Sequence, residues 1–334
     1  MDAINILVLS AIGEENLRRI AEVSPRIRVV DASKVWDERE PIEMGKAAAI
    51  DPACVTMLAD AEVLFAYGPP PNLIALAPRL KWFQTMLAGV DHILHEDIVK
   101  SPVILTNTSG VHATPVGEIA LGMMLVLAKQ SLFCVQSMMK RSWERFVPDL
   151  LRDKTVGIVG LGSIGREIAR MCKALGMRVI AIRRSAKKVS RARNVDTLLP
   201  GAHLGELLSQ SDHVVMVLPS TPETYHMVGE KELRMMQSSA YLINVGRGNT
   251  IDEEALVRAC EEKWIAGAGL DAFTVEPLPK ESKLWELPNV FISPHVSGRL
   301  KNYNAVSTTL FCENLTRYVS GKRLFNIVNK KRGY

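Results

Sequence analysis

Thr155-Val156-Gly157-Ile158-Val159 runs directly into Gly160-Leu161-Gly162-Ser163-Ile164-Gly165, and Arg166-Glu167-Ile168-Ala169 then opens a helical pattern. A G-x-G-x-x-G alone is a weak signal. Between a strand and a helix it becomes a dinucleotide-binding turn. Gly160 permits the tight turn, Gly162 lets the backbone approach a pyrophosphate, and Gly165 lets helix and strand pack closely. The helix start adds free N–H groups and positive potential for the phosphates.

Working outward, short apolar runs at 4–9, 27–30, 63–67, 82–86 and 104–106 precede this stretch, with helical patterns at 14–23 and 52–60. Further runs follow at 178–182, 213–218, 241–244, 266–270 and 290–292. Such alternation implies βαβ units and parallel sheets. The expected fold class is α/β, with two Rossmann-like doubly wound parallel-sheet domains. The series from residue 155 is long enough to be a nucleotide-binding domain, and a helix at 305–319 returns after it and needs something to pack on. A discontinuous domain of residues 1–100 and 299–334 is therefore expected around a dinucleotide-binding domain of 101–298. The latter holds a long helix over 114–139, with Pro115 where a first-turn proline is tolerated.

The end of the second strand indicates which dinucleotide. An NAD site usually carries Asp or Glu there, hydrogen-bonded to the ribose 2′-hydroxyl. This chain reads Ile182-Arg183-Arg184-Ser185-Ala186-Lys187-Lys188, with no carboxylate before Asp196. Arg183 and Arg184 can grip a 2′-phosphate in a fork, and Ser185 adds a hydroxyl donor. NADP(H) is expected in preference to NAD(H).

Three more segments follow apolar runs: Asn244-Val245-Gly246-Arg247-Gly248, Asp271-Ala272-Phe273-Thr274-Val275-Glu276-Pro277, and Ser293-Pro294-His295-Val296-Ser297-Gly298. Doubly wound folds place ligands at the carboxyl ends of their strands. Arginine, glutamate and histidine converging there suit reduction of a 2-keto acid. Hydride reaches the carbonyl carbon and negative charge grows on its oxygen. A protonated histidine can donate to that oxygen, a carboxylate can hold the imidazole, and a guanidinium can pair with the substrate carboxylate.

Together with Leu287-Pro288-Asn289-Val290 and Leu87-Ala88-Gly89-Val90-Asp91-His92, these motifs resemble the D-isomer-specific 2-hydroxyacid dehydrogenase family over nearly the whole chain. The resemblance implies a cofactor cleft between the two domains. His295 would then be the acid/base, Glu276 its partner and Arg247 the ligand of substrate carboxylate and carbonyl. The N–H groups of Ala88 and Gly89 would hold the other side of the carboxylate. Ser163 and Ile164 would meet the pyrophosphate, and Leu218, Pro219, Thr224, Val245 and Asp271 would line the cofactor cleft. Arg184-Ser185-Ala186-Lys187 is similar to the NADPH-dependent glyoxylate/hydroxypyruvate reductases of the family, in which the helix after Thr114 builds a homodimer interface. Tyr67-Gly68-Pro69-Pro70-Pro71 departs from the more polar loop of relatives. With Trp143 and Phe146 it hints at a keto acid bulkier than glyoxylate. A different class also resembles the chain: the C-terminal-binding corepressors keep the same three residues and use dinucleotide binding to control association.

Composition excludes other classes. The chain has 334 residues, 47% hydrophobic and 23% charged, which is ordinary for about two globular domains. Five scattered cysteines without a C-x-x-C pair argue against a disulfide framework or a structural metal site and fit a reducing cytoplasm. No secretory signal is expected, nor a membrane span, since the longest strongly apolar run has ten residues against the roughly 20 needed. The net charge of +5 is concentrated. Arg183, Arg184, Lys187, Lys188, Arg191 and Arg193 form one acid-free cluster, and Lys322, Arg323, Lys330, Lys331 and Arg332 a second. The remainder is net acidic, so no nucleic-acid partner is expected.

Overall fold

Thr155–Val159 is a strand buried at all five positions, as it must be when helices cover both faces of a parallel sheet. In the computed structural model, which describes residues 3–36, 50–90 and 93–333, the chain divides into two compact units. One comprises Met1–Val111 with Leu300–Tyr334, the other His112–Arg299. Strands are numbered in chain order: β1 (Ile4–Val8), β2 (Ile27–Asp31), β3 (Val63–Ala66), β4 (Trp82–Thr85), β5 (Ile104–Thr106), β6 (Thr155–Val159), β7 (Arg178–Ile182), β8 (Ser190–Ala192), β9 (Val195–Leu199), β10 (His213–Met216), β11 (Tyr241–Asn244), β12 (Gly267–Leu270) and β13 (Val290–Ile292).

The first unit holds an all-parallel sheet of order β2-β1-β3-β4-β5. The second holds the order β13-β12-β11-β10-β6-β7-β9-β8, parallel except for the β8–β9 pair. Both orders reverse direction beside the first strand of the series, and such switch points are where doubly wound sheets bind ligands. Helix Tyr303–Val319 carries the chain back into the first unit. Its buried Phe311 stacks on Phe65 with centroids 4.3 Å apart and tilts against Trp82 at 5.1 Å.

Two expectations need correction. The first crossing between units lies after Val111 rather than at residue 100, because β5 pairs with β4 and belongs to the first sheet. The single helix expected over 114–139 is two, Ala113–Ala128 and Ser131–Lys140, bent by 60°. Gln130 at the break has a left-handed φ of 49°, which ends helical hydrogen bonding. The first helix buries Met123 and Met124 in its own unit, whereas Met138 and Met139 on the second are 77% and 82% exposed. The basic stretch after β7 leads into further regular structure. It runs into the hairpin β8–β9, whose Asp196 accepts the Val179 N–H at 2.8 Å and pairs with Lys173 at 3.0 Å. Among the described residues no single helix is long and apolar enough to cross a membrane.

His213, at the start of β10, is 3% exposed and its Nδ1 finds no partner among the described residues, while its ring stacks near Tyr241 with centroids 5.5 Å apart. Burial pushes its pKa down to about 4, against the weaker opposing pull of Asp212 and Asp149. Unfolded, the imidazole titrates near 6.5, so the unfolded chain takes up the proton first as pH falls. The stabilisation is complete above about pH 6.5 and declines steadily toward pH 4, by about 3 kcal/mol in all. His213→Phe is expected to flatten this part of the pH–stability curve. Urea midpoints that fall equally from pH 7 to 4.5 in both proteins would assign the acid sensitivity to other groups.

Candidate active site

Gly160 has φ 112°, and a Cβ there would lie 2.5 Å from the Val217 carbonyl oxygen. At Gly165 a Cβ would sit 2.1 Å from the Gly160 oxygen, so the helix Ser163–Ala174 can press on the strand only without a side chain. At Gly162 a Cβ would meet nothing within 4 Å. A tight turn, a close helix and open space before the helix N-terminus fit a dinucleotide pyrophosphate.

The turn after β7 lies beside it. The Ile182 carbonyl accepts the N–H groups of Gly160 at 3.2 Å and Leu161 at 3.1 Å. Arg183, Arg184 and Ser185 are exposed there, with the Arg183 carbonyl accepting the Ala186 N–H at 2.9 Å to close the turn. Glu223 reaches the same region. Its carboxyl is held below the usual range chiefly by the Thr221 hydroxyl, with a smaller contribution from Arg184.

Thr224 was expected to face the cofactor, but its hydroxyl is already engaged: it donates to the Pro219 carbonyl at 2.7 Å and accepts the Thr221 N–H at 2.8 Å. It shapes the loop that carries Leu218 and Pro219. Val245 is likewise packed into the core at 6% exposure. Asn249 ties the next loop to this one, donating from Nδ2 to Ser220 Oγ at 2.8 Å.

β11, β12 and β13 are neighbours and parallel, so the three motif loops leave the sheet side by side at one edge. Buried Asn244 and Thr250 hold the Arg247 carbonyl at 3.0 and 2.7 Å. Gly248 lets this loop lie against the next, since a Cβ there would come 1.9 Å from the Phe273 carbonyl carbon. On that second loop Glu276 accepts the Phe273 N–H through Oε1 at 2.9 Å and meets His295 Nδ1 through Oε2 at 2.7 Å. Both side chains remain partly open, His295 at 45% and Glu276 at 36%.

His295 stands at φ 49°, a left-handed backbone that costs a residue with a Cβ about 1–2 kcal/mol. Asp271 holds it there. This carboxylate is 1% exposed and accepts Ser293 Oγ at 2.6 Å, the Val296 N–H at 3.0 Å and the Ser297 N–H at 3.0 Å. Asp271, expected among the cofactor-lining residues, is engaged with the histidine loop. The sequence carried no signal for that bridge, which joins the ends of two strands.

In the first unit the Leu87-Ala88-Gly89 turn is pinned through its carbonyls. The Met86 oxygen accepts from Thr108 Oγ1 at 3.0 Å and from the Tyr303 hydroxyl. The Leu87 oxygen accepts the Thr108 N–H at 3.0 Å, and the Ala88 oxygen accepts Asn107 Nδ2 at 2.7 Å. The N–H groups of Ala88 and Gly89 have no hydrogen-bond partner among the described residues, which leaves two adjacent donors for an anion. Asp91 and His92 of the same motif lie outside the described residues. Asn107, Thr108 and Tyr303 were not singled out from sequence, because only the folded chain brings them to this turn.

A dinucleotide turn with a carboxylate-held histidine at the same sheet edge defines a nucleotide-dependent oxidoreductase. Residues 121–297 match the NAD binding domain of the D-isomer specific 2-hydroxyacid dehydrogenases. A glyoxylate reductase of Thermococcus onnurineus is 34% identical over 314 residues, 89% of this chain and 90% of the relative. A glyoxylate reductase of Pyrococcus furiosus is 32% identical over 311 residues, 89% of each. A D-isomer specific 2-hydroxyacid dehydrogenase of Xanthobacter autotrophicus, solved with NADPH and MES, superimposes with TM-score 0.83 at 26% identity, covering 99% of this chain and 100% of the other. An NADPH-dependent glyoxylate/hydroxypyruvate reductase of Sinorhizobium meliloti, solved with NADP and sulfate, gives 0.79 at 26% identity, with coverage of 99% and 100%. The chain belongs to the D-isomer specific 2-hydroxyacid dehydrogenase family.

Proposed function

We propose that the protein is an NADPH-dependent reductase of small 2-keto acids, forming D-2-hydroxy acids. The observation that carries this reading is the 2.7 Å contact of His295 Nδ1 with Glu276, on loops fixed by Asp271 and Gly248. With Nδ1 committed to the carboxylate, Nε2 is the nitrogen that passes a proton to the substrate's carbonyl oxygen. Arg247 pairs with the substrate carboxylate and polarises the carbonyl, and the amides of Ala88 and Gly89 are the first unit's donors for a carboxylate. Gly160, Gly162, Ser163, Ile164 and Gly165 hold the pyrophosphate, beside Leu218, Pro219 and Val245. Arg183, Arg184 and Ser185 hold the 2′-phosphate. The nicotinamide supplies the hydride. Thr224 and Asp271 act one step back, as supports of the loops that do the binding.

A homodimer accompanies this reading. Val135, Met138, Met139, Trp143, Val147 and Leu150 are all exposed along residues 131–150, an apolar surface that a second copy of the chain would cover. NADPH oxidation with glyoxylate, hydroxypyruvate and bulkier 2-keto acids tests the function directly. Turnover of at least one, with a D-2-hydroxy acid as product, is expected. If none is reduced while a protein partner binds in a dinucleotide-dependent way, the molecule is a sensor of the corepressor kind.

A further inference from the structure

The cations after β7 outnumber what one 2′-phosphate can engage. Arg183, Arg184 and Ser185 occupy the turn itself, yet Lys188, Arg191 and Arg193 continue the run on and around the edge strand β8. The register locates them. Ser190 pairs with Leu198, and Leu198 with Ala181 of β7. Lys188 therefore sits near the carboxyl edge of the sheet, about two strand spacings, roughly 10 Å, from the end of β7. Arg191 and Arg193 step away from it along β8 at about 3.3 Å per residue.

All three side chains belong to exposed or half-exposed residues, and none forms an ion pair among the described residues. The acids that approach this side are engaged: Asp196 pairs with Lys173 at 3.0 Å, and Glu223 is held by Thr221 and Arg184. Three unneutralised charges thus stand roughly 10 Å or more from the end of β7, beyond the screening length of about 8 Å at physiological ionic strength but well within that of about 30 Å in dilute salt. They are too far for a hydrogen bond and close enough to attract.

We propose that Lys188, Arg191 and Arg193 capture NADP(H) electrostatically, setting its association rate, while Arg183 and Arg184 set how long it stays. The inference rests on the assignment of the 2′-phosphate to Arg183, Arg184 and Ser185. A phosphate monoester adds about −1.5 to −2 charges at neutral pH, so the field of the hairpin acts more strongly on NADPH than on NADH. The hairpin thereby makes cofactor choice partly kinetic. Cations on an edge strand also keep it from pairing with other strands, and that role alone predicts no effect on cofactor binding.

Stopped-flow binding of NADPH and NADH to the full chain separates these roles. For the wild type, the NADPH association rate is expected to fall steeply as ionic strength rises, and more steeply than that for NADH. Lys188→Glu, Arg191→Glu and Arg193→Glu together are expected to slow NADPH association about tenfold at low salt and within about twofold in concentrated salt, where the field is screened. Dissociation rates should stay within about twofold of wild type. Equal salt slopes for the two cofactors in the wild type, or a triple variant that associates at the wild-type rate at low salt, would overturn the proposal. So would a loss that resides in dissociation. The wild-type comparison stands even if the variant folds poorly. Tighter binding of NADPH than NADH with matching salt slopes would leave the cofactor assignment intact and remove only the capture role, whereas equal affinities would remove the assignment itself.

Discussion

Replacing His295 with alanine is expected to lower kcat for keto-acid reduction by about a hundred- to ten-thousandfold, the usual contribution of a positioned acid/base. The carbonyl oxygen gains charge as hydride arrives, and no other side chain described at this edge is held like His295, with one ring nitrogen tied to a carboxylate at 2.7 Å. NADPH affinity should change little, because the imidazole is not among the groups assigned to the pyrophosphate or the 2′-phosphate. Glu276→Gln is the informative companion. The amide keeps one accepting oxygen where the carboxylate had two, so either the Nδ1–H or the Phe273 N–H loses its acceptor, together with the charge that steadies the imidazolium. A smaller loss than for His295→Ala is expected. An alanine variant that retains more than about a tenth of wild-type kcat, with chemistry shown to be rate-limiting, would remove the histidine from the proton path.

The second large effect concerns cofactor choice. Replacing Arg183 and Arg184 together with alanine is expected to weaken NADPH by about ten- to a hundredfold, corresponding to one charge-assisted phosphate contact of about 1.5–3 kcal/mol. NADH should lose far less, since it presents a hydroxyl where NADPH presents phosphate. Both side chains leave an exposed turn, so the contact is screened by salt and the difference should narrow as ionic strength rises. Equal losses for the two cofactors, measured as dissociation constants, would sink the assignment of this turn to the 2′-phosphate.

Much of this site could be read along the chain because its chemistry is local. The glycine turn needs small residues at three fixed positions between a strand and a helix, and all three lie within six residues of one another. The strand ends were recoverable because a strand buried on both faces is a near-continuous apolar run. β9 escaped for the converse reason. Asp196 is its second residue, and that carboxylate belongs only because it caps the Val179 N–H and pairs with Lys173. The broken helix escaped too, since nothing in Lys129-Gln130-Ser131 marks a left-handed residue.

The sequence by itself determined the α/β class and the glycine turn between strand and helix, and it put a basic run after β7 and Arg247, Glu276 and His295 on loops after neighbouring strands. Each is a matter of residue type at short spacing, where local backbone geometry decides. Only the tertiary structure decided which groups are free to act. It engaged Asp271 with the histidine loop and Thr224 with its own turn, and it brought Asn107 and Tyr303 to the Ala88-Gly89 turn across 19 residues and 217 residues of chain. Hydrogen bonds between distant segments depend on sheet order and loop closure, and no pattern along the chain records those.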